Sequence, residues 1–143
     1  MNLRKLPDWR TRLDEFIADV AAHPFDWRTH NCAGFVSRAL AAQAGADPWE
    51  ALRATFAECR TDHDVRHLLS VEYGGLEELF DAELLPHGFW RHPCATAGAP
   101  IITLGDDDQI GAGVSLGRYV CVLTTDGLIM TARHRILAAW SWP

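Results

Sequence analysis

The sequence predicts an α+β domain whose first half forms helices that pack on an antiparallel sheet formed by the second half. As far as Leu84, apolar residues recur at the three- and four-residue spacing of amphipathic helices. After Pro100 the pattern changes to short β-type runs separated by turns that contain glycine and aspartate. At 143 residues the chain suits one domain and is short for two, so we predict a single domain over residues 1–143.

Helices are predicted in five places, each marked by a capping residue, a glycine or a proline. Asp8 caps the first helix, whose apolar face ends before His23-Pro24. Asn31 caps the second, which runs to Gly45 with an apolar stripe on one side. The remaining helices are predicted from Asp47 to Phe56, from Thr61 or Asp62 to Gly74-Gly75, and from Leu76 to Leu84.

The second half of the chain contains β-type runs that follow a loop from Pro86 to Pro100. These runs are Ile101–Leu104, Ile110–Leu116, Tyr119–Leu123 and Leu128–Thr131. The tail from Ala138 to Trp142 is predicted as one more strand. Its alternating Trp140 and Trp142 are expected in the core, although the pattern leaves open whether one ring or both are buried. An exposed tryptophan there would suit a partner.

Composition excludes several function classes. A formal net charge of −6 argues against nucleic acid as a partner, because phosphate binding needs a basic surface. The N-terminal residues contain no apolar run, so no signal peptide is expected, and no stretch is apolar enough to insert into a membrane. The four cysteines are widely spaced and form no CxxC pattern, which disfavours a zinc site. We expect reduced thiols and synthesis in the cytosol, and export by another route stays open.

The segment with most chemical content is Asn31-Cys32-Ala33-Gly34-Phe35-Val36. It places Cys32 in the first turn of the second helix, where free backbone N–H groups and the helix dipole favour the nucleophilic thiolate. The alternative is a buried helical cysteine that packs as a small apolar residue. Both interpretations stay open on the residues alone.

This segment resembles the Asp-Cys-Ser-Gly-Phe-Val signature of the NlpC-type, papain-like cysteine peptidase family. Pro24-Phe25-Asp26-Trp27 is similar to the Pro-Tyr-x-Trp that precedes that cysteine, and Gly113-Val114-Ser115-Leu116-Gly117 resembles the strand His-Val-Gly-Ile-Tyr-Leu-Gly. The resemblance covers the chain from about Pro24 to Leu123 and is greatest to short phage-encoded members found in tail gene modules. It implies a papain-like NlpC-type fold.

Members of this family cleave peptide bonds in bacterial cell-wall stem peptides. A cysteine attacks, a strand histidine takes its proton, a further polar residue orients that histidine, and a tyrosine assists the oxyanion. By this resemblance Cys32 is the candidate nucleophile. The base histidine is absent, because Gly111 stands in its place. The orienting position falls at Cys121 to Leu123, and Phe25 replaces the tyrosine.

Other histidines are alternative bases for Cys32. His30 lies two residues before it in the sequence, on a lead-in that usually points away from the first turn. His87 and His92 lie in the proline-containing loop, which could fold over the cysteine. His134 precedes the last strand and is expected at the surface.

Two further patterns are weaker signals for a metal. His63 and His67 lie four residues apart on a helix, but without a third ligand a solvated helix face is the expected reading. Asp106-Asp107-Asp108 lacks the glycine and glutamate of a calcium loop, so an exposed turn is expected. We therefore predict no metal and no cofactor.

Two functional hypotheses from different classes follow from these observations. In the first, the protein is a structural phage tail-tip component with an impaired catalytic site, present in the virion after synthesis in the host cytoplasm. Its expected partners are other tail-tip proteins, with peptidoglycan peptides as further candidates. In the alternative, it is an active cell-wall endopeptidase or amidase that uses Cys32 with a non-standard base. An intracellular thiol protein unrelated to cell walls is a third, weaker option.

Overall fold

The computed structural model describes residues 2–27, 30–49, 54, 56–132 and 134–143. Within these ranges helices fill the first half and one antiparallel sheet fills the second, which confirms the predicted α+β class and the order of its layers. The α-helices are α1 (Trp9–Val20), α2 (Cys32–Ala44), α3 (Asp62–Leu68) and α4 (Leu76–Leu84). A π-helical turn (Leu69–Tyr73) follows α3, and a 3₁₀ turn (Leu85–His87) follows α4. Among the described residues, no helix has the length and apolar character needed to cross a membrane.

The ends of the helices follow from local hydrogen bonding. At the start of α2, Asn31 Oδ1 accepts from the backbone N–H of Gly34 at 2.8 Å. The same helix ends where Gly45 adopts φ 74°, a conformation that glycine reaches without steric cost. At the start of α3, Thr61 and Asp64 form a reciprocal capping box. These boundaries confirm the predicted ones.

Half of the helix predicted from Asp47 to Phe56, residues 50–53 and 55, lies outside the described residues. Its first residues are tied to the body of the protein, because the Asp47 carboxylate accepts from the Ser37 hydroxyl at 2.8 Å and from the Trp49 N–H at 2.9 Å. The Trp49 ring is buried against the Phe80 ring of α4, with 5.0 Å between ring centroids.

The sheet contains six strands in the described part of the chain. They are β1 (Trp90–Arg91), β2 (Pro100–Leu104), β3 (Ile110–Ser115), β4 (Val120–Thr124), β5 (Gly127–Thr131) and β6 (Arg135–Ser141). Their order in the sheet is β1-β6-β2-β3-β4-β5, with antiparallel neighbours throughout. The predicted runs are confirmed to within a residue or two, except that the last strand begins earlier, at Arg135. The two-residue strand β1 lies inside the predicted loop and is too short to show a β pattern.

Strands β3 and β4 stop pairing at one end of the sheet. Strand β3 pairs with β2 from Ile110 to Val114, whereas its pairs with β4 extend only from Gly113 to Ser115. The first residues of β3 therefore diverge from the last residues of β4. We call this opening the fork.

The sheet has apolar residues on both faces. Its helix-facing side joins the main core through Ile102, Ala112, Val114, Cys121 and Leu123. The opposite side forms a smaller cluster of Ile101, Val120, Val122 and Ala139. Trp140 and Trp142 both lie buried in the main core, so core packing is confirmed for both rings.

Candidate functional site

Cys32 is the first residue of α2, as the capping asparagine predicted. Asn31 is itself buried, and its Nδ2 donates to the Trp27 carbonyl at 2.9 Å, which fixes the chain leading into the helix. Phe35, on the next turn, is fully buried and stacks on Phe16 of α1 with 5.7 Å between ring centroids. The packing of α2 therefore holds the thiol at one position over the sheet.

Burial raises the pKa of the Cys32 thiol above its ordinary value. The backbone N–H groups of Ala112 on β3, of Ala33 and of Cys32 itself lower this pKa, because such groups favour the thiolate. Burial has the larger effect, so the thiol is favoured over the thiolate relative to a free cysteine.

The fork explains why the N–H of Ala112 can act on the Cys32 thiol. The backbone of Ser115 bonds to Ala99 and Gly98, on the β2 side of the sheet. Backbone N–H groups alternate in direction along a strand, so the N–H of Ala112 points toward β4. Pairing with β4 has already ended there, and this N–H lowers the pKa of Cys32.

Ala112, and not Gly111, faces the cysteine. A Cβ placed on Gly111 would lie 3.2 Å from Val122 Cγ1 and 3.8 Å from Thr103 Oγ1. Val122 belongs to the apolar cluster on the opposite side of the sheet, whereas Ala112 belongs to the main core with α2. The sequence resemblance set Gly111 in the base position, and a one-residue difference in register reverses the face. The side chains on the face toward the sulfur are the small or apolar ones of Ala112 and Ile110.

The histidines considered as alternative bases do not hydrogen-bond to the sulfur in the described structure. His30 is buried with its ring edge against His23, 6.0 Å between centroids, and its Nε2 has no partner. Burial, then Arg38 and His23, lower the pKa of His30. The backbone carbonyl of His87 accepts from the N-terminal segment, and the exposed His92 ring bonds to the backbone of Cys94.

His134 differs from the surface position that the sequence suggested. It is half-buried and lines a cavity that also contains Cys32. Its Nδ1 atom is buried and has no hydrogen-bond partner. Sequence reasoning missed this residue because the position depends on the turn before β6, where nothing in the local pattern indicates burial.

Two cavities meet at Cys32. One, of about 350 Å³, extends toward α3 and is lined by apolar residues such as Phe56, Val65 and Leu69. The other, of about 410 Å³, extends through the fork to the β4–β5 turn. Both are also lined by Trp27, Asp62, Arg66, Gln109 and Ile110. The cysteine thus lies at the centre of a continuous cleft.

The remaining predicted positions are also placed by the structure. Phe25, in the tyrosine position, packs edge-on against Trp27 with 4.6 Å between ring centroids and supplies no hydroxyl. Cys121 is buried in the core, and burial raises its pKa to about 12. Leu123 is buried beside it, so the orienting position is apolar.

In the described part of the chain, neither of the two sequence patterns considered as metal sites gains a further ligand. The His63 and His67 rings are exposed and stack with 6.4 Å between centroids. Asp106-Asp107-Asp108 forms an exposed turn, as expected. In the described ranges, no group of three or more histidine, cysteine, aspartate or glutamate side chains could hold a metal ion. All four cysteines are free thiols.

The fold and site together define an α+β protein with a partly buried thiol at a helix N-terminus, set at the centre of a cleft. The chain belongs to the DUF6950 family, described as a domain of unknown function, whose model matches residues 4–142. No curated protein and no solved structure matches the chain.

Proposed function

We propose that this protein is a structural component of a phage tail tip, built on an NlpC-like papain scaffold whose cysteine site does not cleave peptide bonds. One observation carries the non-catalytic part of this proposal. The strand that faces Cys32 offers it a backbone N–H from Ala112 and apolar side chains, where a cysteine peptidase needs an imidazole.

The expected effect of this arrangement on catalysis is large. A positioned general base typically contributes about 10²–10⁴-fold in rate. The raised pKa of Cys32 adds to this loss, because only the thiolate is nucleophilic. A substrate in the cleft would therefore meet a neutral thiol without a proton acceptor.

The tail-tip assignment rests on the resemblance of Pro24 to Leu123 to short phage-encoded family members. It implies a location in the virion after synthesis in the host cytoplasm, with other tail-tip proteins as partners. The cleft rim suits contact with a partner, since Ile110 is 61% exposed between the two cavities.

Two measurements test this proposal. Purified protein is incubated with cell-wall stem peptides, beside a Cys32→Ala variant as control, and products are followed by mass spectrometry. We expect no cleavage by either protein. Separately, the protein is co-expressed with the tail-tip proteins of the same phage, and we expect it to co-purify with them. Cleavage that Cys32→Ala abolishes would overturn the structural proposal, and a chain that binds no tail component would remove the tail assignment.

A second candidate function is supported by the position of His134. Its unpartnered Nδ1 and the Cys32 sulfur line the same cavity, so a shift of the turn before β6 could bring the base to the thiol. The protein would then be an active cell-wall endopeptidase or amidase. In this case His134→Ala should abolish stem-peptide cleavage as fully as Cys32→Ala, whereas His92→Ala, at an exposed ring outside the cavity, should not.

A further inference from the structure

The larger cavity is lined by two buried side-chain atoms that have no hydrogen-bond partner, Thr103 Oγ1 and His134 Nδ1. We call the part that passes through the fork to the outer face of the sheet the fork cavity. Residues on that side include Thr103, Asp107, Val122, Asp126, Ile129 and His134. The cavity combines carboxylates, unpartnered polar atoms and aliphatic walls.

Thr103 supplies the first indication of a ligand. Its side chain is 0% exposed, and its Oγ1 has no hydrogen-bond partner. A buried hydroxyl without a partner loses its hydrogen bonds to water and gains none in return, so such a group in a native structure calls for an explanation. The Oγ1 atom points toward Gly111, since it lies 3.8 Å from the place where a Cβ of that residue would be, and both residues line the cavity.

His134 and Asp107 supply further polar atoms to the same cavity. Both side chains flank Gly105, because a Cβ built there would lie 2.8 Å from Asp107 Oδ1 and 3.2 Å from His134 Nε2. The other ring nitrogen of His134 is the buried, unpartnered Nδ1. Asp126, in the turn between β4 and β5, adds a further carboxylate to the lining.

We propose that the fork cavity binds the primary ammonium group at the end of an aliphatic chain, such as a lysine side chain of a partner protein. An ammonium group has three donors and no acceptor. The cavity lining contains acceptors in Thr103 Oγ1, His134 Nδ1 and the Oδ2 atom of Asp107, whose Oδ1 accepts from the Gln109 N–H. The side chains of Val122 and Ile129 contact the methylene groups, as apolar surface does along a lysine stem.

Other ligand classes match this lining less well. An anion would be repelled by the carboxylates of Asp107 and Asp126. A metal ion is disfavoured because no suitable group of ligands forms among the described residues. A neutral alcohol could bond to Thr103 but would gain nothing from the carboxylates.

This inference deepens the proposed function by naming the chemistry of a partner, and it rests on that function only for the source of the ammonium group. The test uses Nα-acetyl-lysine methylamide, the matching norleucine compound as an uncharged control, and free butylamine. Binding is measured by calorimetry and by amide chemical shifts in the full chain. We expect binding of the lysine compound and none of the norleucine compound.

Single substitutions test whether the lysine compound binds in the fork cavity. Thr103→Val removes the hydroxyl at nearly constant volume and should weaken binding of the lysine compound about tenfold or more, as expected for a hydrogen bond to a charged group. Its melting temperature should not fall, because the hydroxyl removed had no partner. Asp126→Asn should also weaken binding, whereas Asp14→Asn, at an exposed position on α1, should not.

Each outcome decides the proposal. Equal binding of the lysine and norleucine compounds, no binding of either amine, or unchanged affinity in Thr103→Val would overturn it. Binding of butylamine without the lysine compound would support the ammonium site and assign a free amine as its ligand. The proposed function can fail separately from the ammonium site. Stem-peptide cleavage by the wild-type protein would contradict the structural role and would leave these affinities unchanged.

Discussion

The pH dependence of alkylation at Cys32 follows directly from the environment of its sulfur. Burial raises the pKa of the thiol above its ordinary value of about 8.5, so less than about a tenth is ionised at pH 7.5. Iodoacetamide reacts with the thiolate, and the rate should therefore rise about 100-fold from pH 6 to pH 8, without levelling off. A thiol coupled to an imidazole would instead reach a plateau near neutral pH.

The alkylation rate of each cysteine can be measured without removing the others, because trypsin cleavage leaves each cysteine in a different peptide. Mass spectrometry then gives a separate rate for residues 29–38, 54–60, 92–118 and 119–133. Exposed Cys94 serves as an internal reference, and urea-unfolded protein gives the rates without burial. A plateau below pH 7.5 at Cys32, or a second inflection that disappears in His134→Ala, would refute the reasoning.

Three further predictions concern stability. Phe35→Ala should lower the free energy of unfolding by about 3–5 kcal/mol in urea titrations, because the ring is fully buried. Gly113→Ala should abolish soluble folded protein or lower its melting temperature strongly, since an added Cβ would overlap the Cys121 carbonyl oxygen. Hydrogen bonds, chiefly from Arg91, lower the pKa of Asp81. The wild-type protein should therefore lose stability as the pH falls below about 4, and Asp81→Asn should lose less over the same range.

Matched variants separate these effects from general damage. Phe35→Leu keeps most of the apolar volume and should cost much less than alanine. Gly111→Ala meets a movable side chain at 3.2 Å and no backbone atom, so it should be tolerated better than Gly113→Ala. Glu77→Gln removes the more distant carboxylate beside Arg91 and should leave the acid response nearly unchanged. A similar acid response in Asp81→Asn and the wild type would show that the hydrogen bonds to Asp81 carry little energy.

Local signals in the sequence predicted most of the secondary structure. Asn31 and Thr61 mark helix starts because their side chains bond to nearby backbone, and Gly45 marks an end because of its positive φ. Strand order and the two-residue strand β1 could not be predicted, since they depend on pairing between distant segments.

The candidate site was only partly predictable. Cys32 follows from its place after a capping residue, but the strand residue opposite it depends on register, which a short apolar run leaves ambiguous. The burial of Thr103 and His134 in one cavity depends on the fork, and no local pattern encodes where two strands stop pairing.

The reversed faces of Gly111 and Ala112 matter for anyone who engineers this scaffold. A histidine grafted at position 111 would project to the side of Val122 and Thr103, on the opposite face of the sheet from the residues that pack with α2. Position 110 shares the inner face with Ala112, borders both cavities beside Cys32 and is open to solvent. A designer seeking a working hydrolase from this chain should therefore start from Ile110→His.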